Sequence, residues 1–150
     1  MSQAAYKKYL IHKFDTDGIV RYAKVLPKGI DLYGKTFLPS ITGEILSFGS
    51  ARTHYESHLP VCRAEDIHAL KDCSSCGERK NCTPELRLDI VHLLGILRFY
   101  LSRAALRNFM LFLSMLKQRQ IPPEGTTITI TVLNRGRWGE LKFSLSAKNI

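Results

Sequence analysis

The spacing of the cysteines constrains this chain more than any other feature. All of its four cysteines lie between residues 62 and 82, and two residues separate the central pair. Such a pair can place two thiolates on one ion, and four soft thiolates suit tetrahedral zinc or an iron–sulfur cluster. Two disulfides or four unrelated thiols are the alternatives. The compact spacing favours one metal site formed by Cys62, Cys73, Cys76 and Cys82.

The cysteine spacing indicates which residues bind the metal more clearly than it indicates which metal they bind. Structural zinc sites usually contain two close pairs of ligands, whereas ten residues separate Cys62 from Cys73 and five separate Cys76 from Cys82. The C-x2-C-x5-C run resembles the iron–sulfur clasp of some recombination and CRISPR-associated nucleases. In those proteins the first cysteine lies far upstream, and no acidic nuclease motif followed by a lysine is visible here. The short loops favour zinc, with a 4Fe–4S cluster as the alternative.

Length and charge limit the class of protein. The 150 residues predict a single domain over 1–150, with a metal-binding insertion at about 52–84. Lysine and arginine number 22 against 13 acidic residues, and the formal net charge of +9 predicts an anionic partner, most commonly nucleic acid. Charged residues interrupt the apolar stretch 90–116, which argues against a membrane span, and no signal peptide is visible. A cytoplasmic protein that contacts no membrane is therefore expected.

The second half of the chain carries the clearest structural patterns. Apolar residues recur at helical spacing between Ser102, an N-cap residue, and Pro122, which predicts a helix over about 102–120. Threonines then alternate with aliphatic residues from 127 to 132, and the alternation resumes after a glycine-containing turn, which predicts a C-terminal hairpin. Earlier segments at 19–26, 41–48 and 88–101 have strand character, with a bulge at Gly43 and a turn at Gly95.

This order of elements predicts the fold class. Several strands, one helix and a terminal hairpin follow one another in a five-stranded oligonucleotide-binding barrel. We therefore expect an α+β protein, namely a small, mostly antiparallel, OB-like β-barrel with one main helix. The predicted metal-binding loop would project from it.

Two basic clusters with aromatic company are the candidate nucleic-acid contacts. At the hairpin tip, guanidinium groups can pair with phosphates, and the indole of Trp138 can stack on a base. The alternative is a solubilising turn with Trp138 folded onto the core. A second cluster surrounds the cysteines, whereas Arg103 and Arg107 on the helix are expected to form a solvated face. The predicted contacts are Arg52, Tyr55, Arg63, Arg79, Lys80, Arg135, Arg137, Trp138 and Lys142.

An enzyme is the alternative to a binding module. His54-Tyr-Glu56 followed by the C-x-x-C pair resembles the H-x-E…C-x-x-C pattern of zinc deaminases, in which zinc activates a water molecule. Asp72 stands where that pattern has proline, and only 16 residues separate Glu56 from Cys73. A histidine near the cysteines could replace one of them as a ligand. We expect the flanking histidines, His54, His58 and His68, instead to be surface residues or phosphate contacts.

The region around the first cysteine also carries a family resemblance. Residues 59–63, Leu-Pro-Val-Cys-Arg, resemble a P-[LV]-C-R-S segment that precedes C-x-x-C and a further cysteine in small proteins of phages and plasmids. The likeness spans about 41–145, although Ala64 stands where the group has serine and Asp66-Ile67 replaces its Asp-Gly. The resemblance implies that the cysteines act as one unit, in an accessory protein of DNA metabolism that binds single strands.

These observations predict a non-enzymatic module that binds single-stranded DNA or RNA with low sequence specificity. Phosphate contacts and base stacking would supply the affinity, and neither reads sequence directly. A structural zinc ion would stabilise the module. The first alternative is a structural subunit of a CRISPR-type or phage nucleoprotein complex that contacts guide RNA or a partner protein. The second is an iron–sulfur or zinc enzyme, either nuclease-like or a deaminase.

Overall fold

The computed structural model describes residues 20–31, 37–57, 59–65, 82–93 and 95–146, with only the backbone at 61, 62, 64 and 65. These residues form strands joined by one long helix. The elements are β1 Val20–Tyr22, β2 Lys24–Leu26, β3 Gly29–Asp31, β4 Phe37–Leu38, β5 Ser40–Glu56, β6 Leu59–Glu65, β7 Thr83–His92, β8 Gly95–Leu101, α1 Arg103–Gln118, β9 Thr127–Asn134 and β10 Gly139–Leu145.

The strands form two sheets. The larger one has seven strands in the order β1-β8-β7-β5-β9-β10, with β6 paired to β5, and the smaller one has the order β2-β3-β4. Strand β1 runs parallel to β8, and the other pairs are antiparallel. The protein is thus α+β, as predicted. Among the described residues the larger sheet does not close into a barrel, so the OB-like barrel is not confirmed.

The 17-residue strand β5 organises the larger sheet. Along one edge it pairs with β7, and along the other it pairs first with β9 and then with β6. The β5–β7 register shifts between Ile45 and Ser47, which leaves Leu46 as the extra residue. Gly43 was predicted to be this bulge; instead a Cβ there would lie 2.6 Å from the carbonyl oxygen of Val91, so glycine permits close strand contact.

The helix covers one face of the larger sheet. Phe109, Phe112 and Leu116 are its buried residues, and they belong to one apolar core with the inward-facing residues of β5, β7, β8, β9 and β10. Phe109 meets Phe48 and Phe143 edge to face, with ring centroids 5.6 and 5.1 Å away. Burial of aromatic surface is the main force that holds α1 on the sheet.

Several elements were predicted correctly from the sequence. The helix and the C-terminal hairpin are confirmed, and 88–101 does contain two strands that meet near Gly95. The segment 19–26 forms two short strands in different sheets rather than one. Both ends of the predicted insertion at 52–84 are regular strands, and residues 66–81 lie outside the described part. No helix in that part is long and apolar enough to cross a membrane.

Candidate functional site

A cleft of about 630 Å³ opens beside the first turn of α1. It lies between the end of β8, the helix start and the hairpin β9–β10, with β2 contributing one residue. Its walls combine two aromatic residues with small side chains and one arginine. The lining residues are Val25, Tyr100, Ser102, Arg103, Ala104, Ala105, Trp138, Gly139 and Leu141.

The N-terminus of α1 makes one end of this cleft electrostatically positive. Ser102 occupies the N-cap position without a side-chain capping hydrogen bond, and the first turn contains no acidic residue. The first helical residue is Arg103, which is exposed and has a φ of 51°. A cation at the positive end of the helix dipole is unfavourable, and a positive φ costs an arginine further energy. A bound anion would offset the first of these unfavourable features.

Trp138 borders the same cleft from the hairpin tip. Its side chain is 48% exposed, so the indole is not buried in the core. The Arg135 amide donates to the Trp138 carbonyl oxygen at 3.0 Å, and Gly136 supplies the positive φ of the turn. Gly139 has a different function, since a Cβ there would lie 2.6 Å from the carbonyl oxygen of Leu26. Gly139 therefore lets β2 pack against the hairpin.

A carboxylate at the base of the hairpin organises its cations. Glu140 lies 3.0 Å from the ammonium of Lys142 and 3.3 Å from Nε of Arg135, and it accepts a hydrogen bond from the Asn108 amide at 3.1 Å. The hydrogen bonds from Lys142 and Asn108, then that from Arg135, lower the pKa of Glu140 from 4.5 to about 2. Of the basic hairpin residues, Arg137 is exposed and makes no such ion pair within the described residues.

This carboxylate makes stability depend on pH in a defined direction. Because folding lowers the pKa of Glu140 from 4.5 to about 2, its stabilising contribution is complete above the unfolded-state pKa and is lost as the pH falls through that interval. We expect Glu140→Gln to lose less stability than the wild type between pH 5 and 2. Urea denaturation across that range measures this, with exposed Glu44→Gln as the control. Parallel curves for Glu140→Gln and the wild type would contradict the assignment.

A second cleft, of about 570 Å³, lies on the other side of the helix start. Its lining includes Arg103 again, together with Arg107 and with Cys82 at the end of the cysteine segment. Arg103 thus lines both clefts, one together with Trp138 of the hairpin and the other together with Cys82. Of the other predicted ligands, Cys62 lies on β6, and Cys73 and Cys76 lie outside the described residues, as do the predicted contacts Arg79 and Lys80.

The opposite face of the sheet carries a network that holds two predicted nucleic-acid contacts. The Tyr55 hydroxyl donates to Glu85 at 2.8 Å, and burial, followed by that hydrogen bond, raises the pKa of Tyr55. Arg63 donates to the Thr53 hydroxyl at 2.9 Å and stacks on the Tyr100 ring at 3.4 Å. Tyr55 and Arg63 therefore both contact neighbouring side chains of this network.

The same face contains charges that the sequence reasoning did not identify. Asp89 accepts from Nε of Arg98 at 2.9 Å and lies 3.4 Å from Nε of Arg87, and all three side chains are fully buried. The two arginines and Asp89 occupy alternating or directly opposed positions of β7 and β8. The alternation of charged and aliphatic residues from 85 to 90 was the signal that could have revealed this buried face.

No protein-family model matches this chain, and neither does any curated protein or solved structure. The resemblance to phage and plasmid proteins therefore stays a prediction. Function is consequently inferred from the geometry of the clefts and the strands.

Proposed function

We propose that this protein binds single-stranded nucleic acid through the cleft between Trp138 and the start of α1. The observation that carries the proposal is a half-exposed tryptophan and an exposed arginine lining one cleft. An aromatic ring that stacks on bases, next to a cation that neutralises phosphates, is the usual arrangement in proteins that bind single strands.

The cleft supports recognition of an unpaired base. Its volume of about 630 Å³ exceeds what one base requires. On the helix side it is lined by the small side chains of Ala104 and Ala105, which leave space for a base. A base in a duplex is covered on both faces by its neighbours, whereas an unpaired base can expose a face to the indole. Stacking of this kind contributes about 1–3 kcal/mol per base and depends little on base identity. Low sequence specificity follows.

Exposed cations extend the interface beyond the cleft. Arg103 and Arg107 lie one helical turn apart and both line the second cleft, while Arg137 extends from the hairpin tip. A strand whose base stacks on Trp138 would pass its phosphates over the helix start. There the free amide groups and Arg103 both favour negative charge. The net charge of +9 would assist the encounter.

The cysteine segment has a supporting role in this proposal. A structural zinc ion held by Cys62, Cys73, Cys76 and Cys82 would fix the segment that ends at Cys82, beside Arg103 and Arg107. A 4Fe–4S cluster is the alternative. In the OB-like barrel that the sequence predicts, the loop between the last two strands is a usual contact loop. Here that loop carries Trp138.

The salt dependence of binding tests the phosphate contacts. We expect the double variant Arg103→Gln/Arg107→Gln to bind a labelled oligothymidylate more weakly than the wild type. Its plot of log affinity against log salt should be shallower by about 0.7 for each phosphate that the variant no longer neutralises. Lys117→Gln/Arg119→Gln removes the same charge from the other end of α1, about 20 Å away, and is the matched control. Equal slopes for the two double variants would contradict the proposed path.

A structural subunit of a larger nucleoprotein complex is the second candidate. Met110 and Leu111 are 49% and 64% exposed on α1, which would suit contact with a partner protein. Failure of the isolated chain to bind any oligonucleotide would favour this role over the first.

A further inference from the structure

A column of stacked side chains crosses the face of the larger sheet opposite α1. The guanidinium of Arg63 lies 3.4 Å from the centroid of the Tyr100 ring, and that ring stacks on Tyr22 with centroids 6.1 Å apart and 13° between the planes. Arg63 comes from the side of β5 and β7, where it lies 3.6 Å from Glu85, whereas Tyr22 belongs to β1 on the other side of β8. The strand order therefore places Arg63 and Tyr22 on opposite sides of Tyr100.

Tyr22 ends this column at the edge of the sheet. In the described part of the chain β1 is the last strand at this end of the sheet, and Tyr22 is its final residue. The Tyr22 side chain is 54% exposed. Its ring is also held in place, by the stack on Tyr100 and by the Arg98 guanidinium 5.9 Å from its centroid. A ring that is already oriented loses little conformational freedom when a base stacks on it.

The column reaches the cleft beside the helix start. Tyr100 lines that cleft, and so does Val25, which follows Tyr22 by three residues. Three residues span at most about 11 Å. Tyr22 therefore lies next to the cleft, on the side where β2 contributes to the lining.

The hairpin tip is also within reach of Tyr22. A Cβ at Gly139 would lie 2.6 Å from the carbonyl oxygen of Leu26, which follows Tyr22 by four residues. The Cα atoms of Trp138 and Tyr22 are consequently at most about 25 Å apart. Stacked nucleotides of one strand advance by about 3.4 Å each, so a segment of about seven nucleotides can connect the two rings. That length falls within the roughly 4–16 nucleotides that single-strand-binding modules cover.

We propose that Tyr22 is a second base-stacking position, so that one single strand places different bases on Trp138 and on Tyr22. The inference rests on the proposed function and deepens it, because it defines how much of the strand is bound. A base on Tyr22 would continue the column as a further layer beyond Tyr100. Every base has a π-face, so the second contact adds affinity without adding sequence specificity.

Substitutions of Tyr22 test the contribution of its ring. Tyr22→Leu keeps an apolar side chain but removes the π-face. We expect it to bind an oligothymidylate of about ten nucleotides about 5- to 150-fold more weakly than the wild type, which corresponds to the 1–3 kcal/mol of one stacked base. Tyr22→Phe keeps the ring and should retain most of the binding. Equal losses for the two variants would overturn the inference.

Leu93→Ala is the matched control for loss of exposed apolar surface. Leu93 is 99% exposed in the turn after β7, and it does not line the cleft. The control should bind like the wild type. Urea denaturation of each variant shows whether a loss of binding reflects a loss of folded protein.

Photocrosslinking identifies the stacked residues directly. An oligothymidylate that carries 5-iodouracil is irradiated in complex with the full-length wild-type protein, and mass spectrometry locates the crosslinked residues. We expect crosslinks to both Trp138 and Tyr22. Crosslinks to Trp138 alone, or a Tyr22→Leu variant that binds as tightly as the wild type, would overturn this inference and leave the proposed function intact. A wild-type protein that binds no oligonucleotide would contradict the proposed function, and this inference with it.

Discussion

Asp89→Asn is expected to lower the free energy of unfolding by about 3–5 kcal/mol, the usual cost of removing one partner from a buried ion pair. The substitution keeps the size of the side chain but removes the negative charge that Arg87 and Arg98 share. Both guanidinium groups would remain fully buried without it. Domains of this kind are stable by about 5–15 kcal/mol, so the variant would lose a large part of its stability.

Urea denaturation followed by circular dichroism measures this effect. The control is Glu124→Gln, which removes an exposed carboxylate from a turn and should change stability by less than about 0.5 kcal/mol. A loss for Asp89→Asn that does not exceed the loss for the control would show that the buried charges do not hold these strands together.

Trp138→Ala is expected to weaken binding of single-stranded oligonucleotides by about 5- to 150-fold, which corresponds to the 1–3 kcal/mol of one stacked base. The side chain is half-exposed at a hairpin tip, so its removal should leave the fold intact. Fluorescence anisotropy of a labelled oligonucleotide gives the affinity. Trp138→Phe keeps an aromatic face and should retain most of the binding.

Leu111→Ala is the control for loss of exposed apolar surface, because Leu111 is 64% exposed on α1 at a distance from the cleft lining. It should bind like the wild type. If Trp138→Ala bound as tightly as Leu111→Ala, the cleft beside the helix would not be the site of base stacking.

Elements with a strong local period were predictable from the sequence. The helix has most of its apolar residues on one side, and the terminal hairpin alternates residue by residue, so each pattern indicates its own element. Within the helix, however, Phe112 is buried whereas Met110 is half-exposed. Local spacing indicates a helix face, but the sheet beneath it decides which residues the core covers.

Elements that depend on distant pairing were less predictable. Strand β5 extends well beyond the predicted 41–48 because β7, β9 and β6 each pair with part of it, and none of these pairings is visible in local sequence. The buried network of Asp89 with Arg87 and Arg98 has the same origin. Charged residues are ordinarily assigned to the surface, and the register of β7 and β8 is needed to show that Asp89 lies opposite Arg98.

The candidate site was predicted in part. Trp138 was identified from its position in a glycine-containing basic turn, and the structure places it at the surface. Arg103 was expected to be merely solvated, because its proximity to Trp138 depends on how the helix and the hairpin pack. A histidine was considered only as a substitute ligand, since the pairing of His54 with Cys62 is visible only once the strands are paired.

Trp138 is the only tryptophan of the chain, so its fluorescence reports directly on the proposed site. The most direct measurement is a titration of the wild-type protein with oligothymidylate at several salt concentrations, followed by tryptophan emission. We expect saturable quenching whose midpoint moves to higher oligonucleotide concentration as salt increases. Quenching should be much weaker when the same sequence is presented as a duplex. Unchanged emission over the whole titration would contradict the proposal that an unpaired base stacks on Trp138.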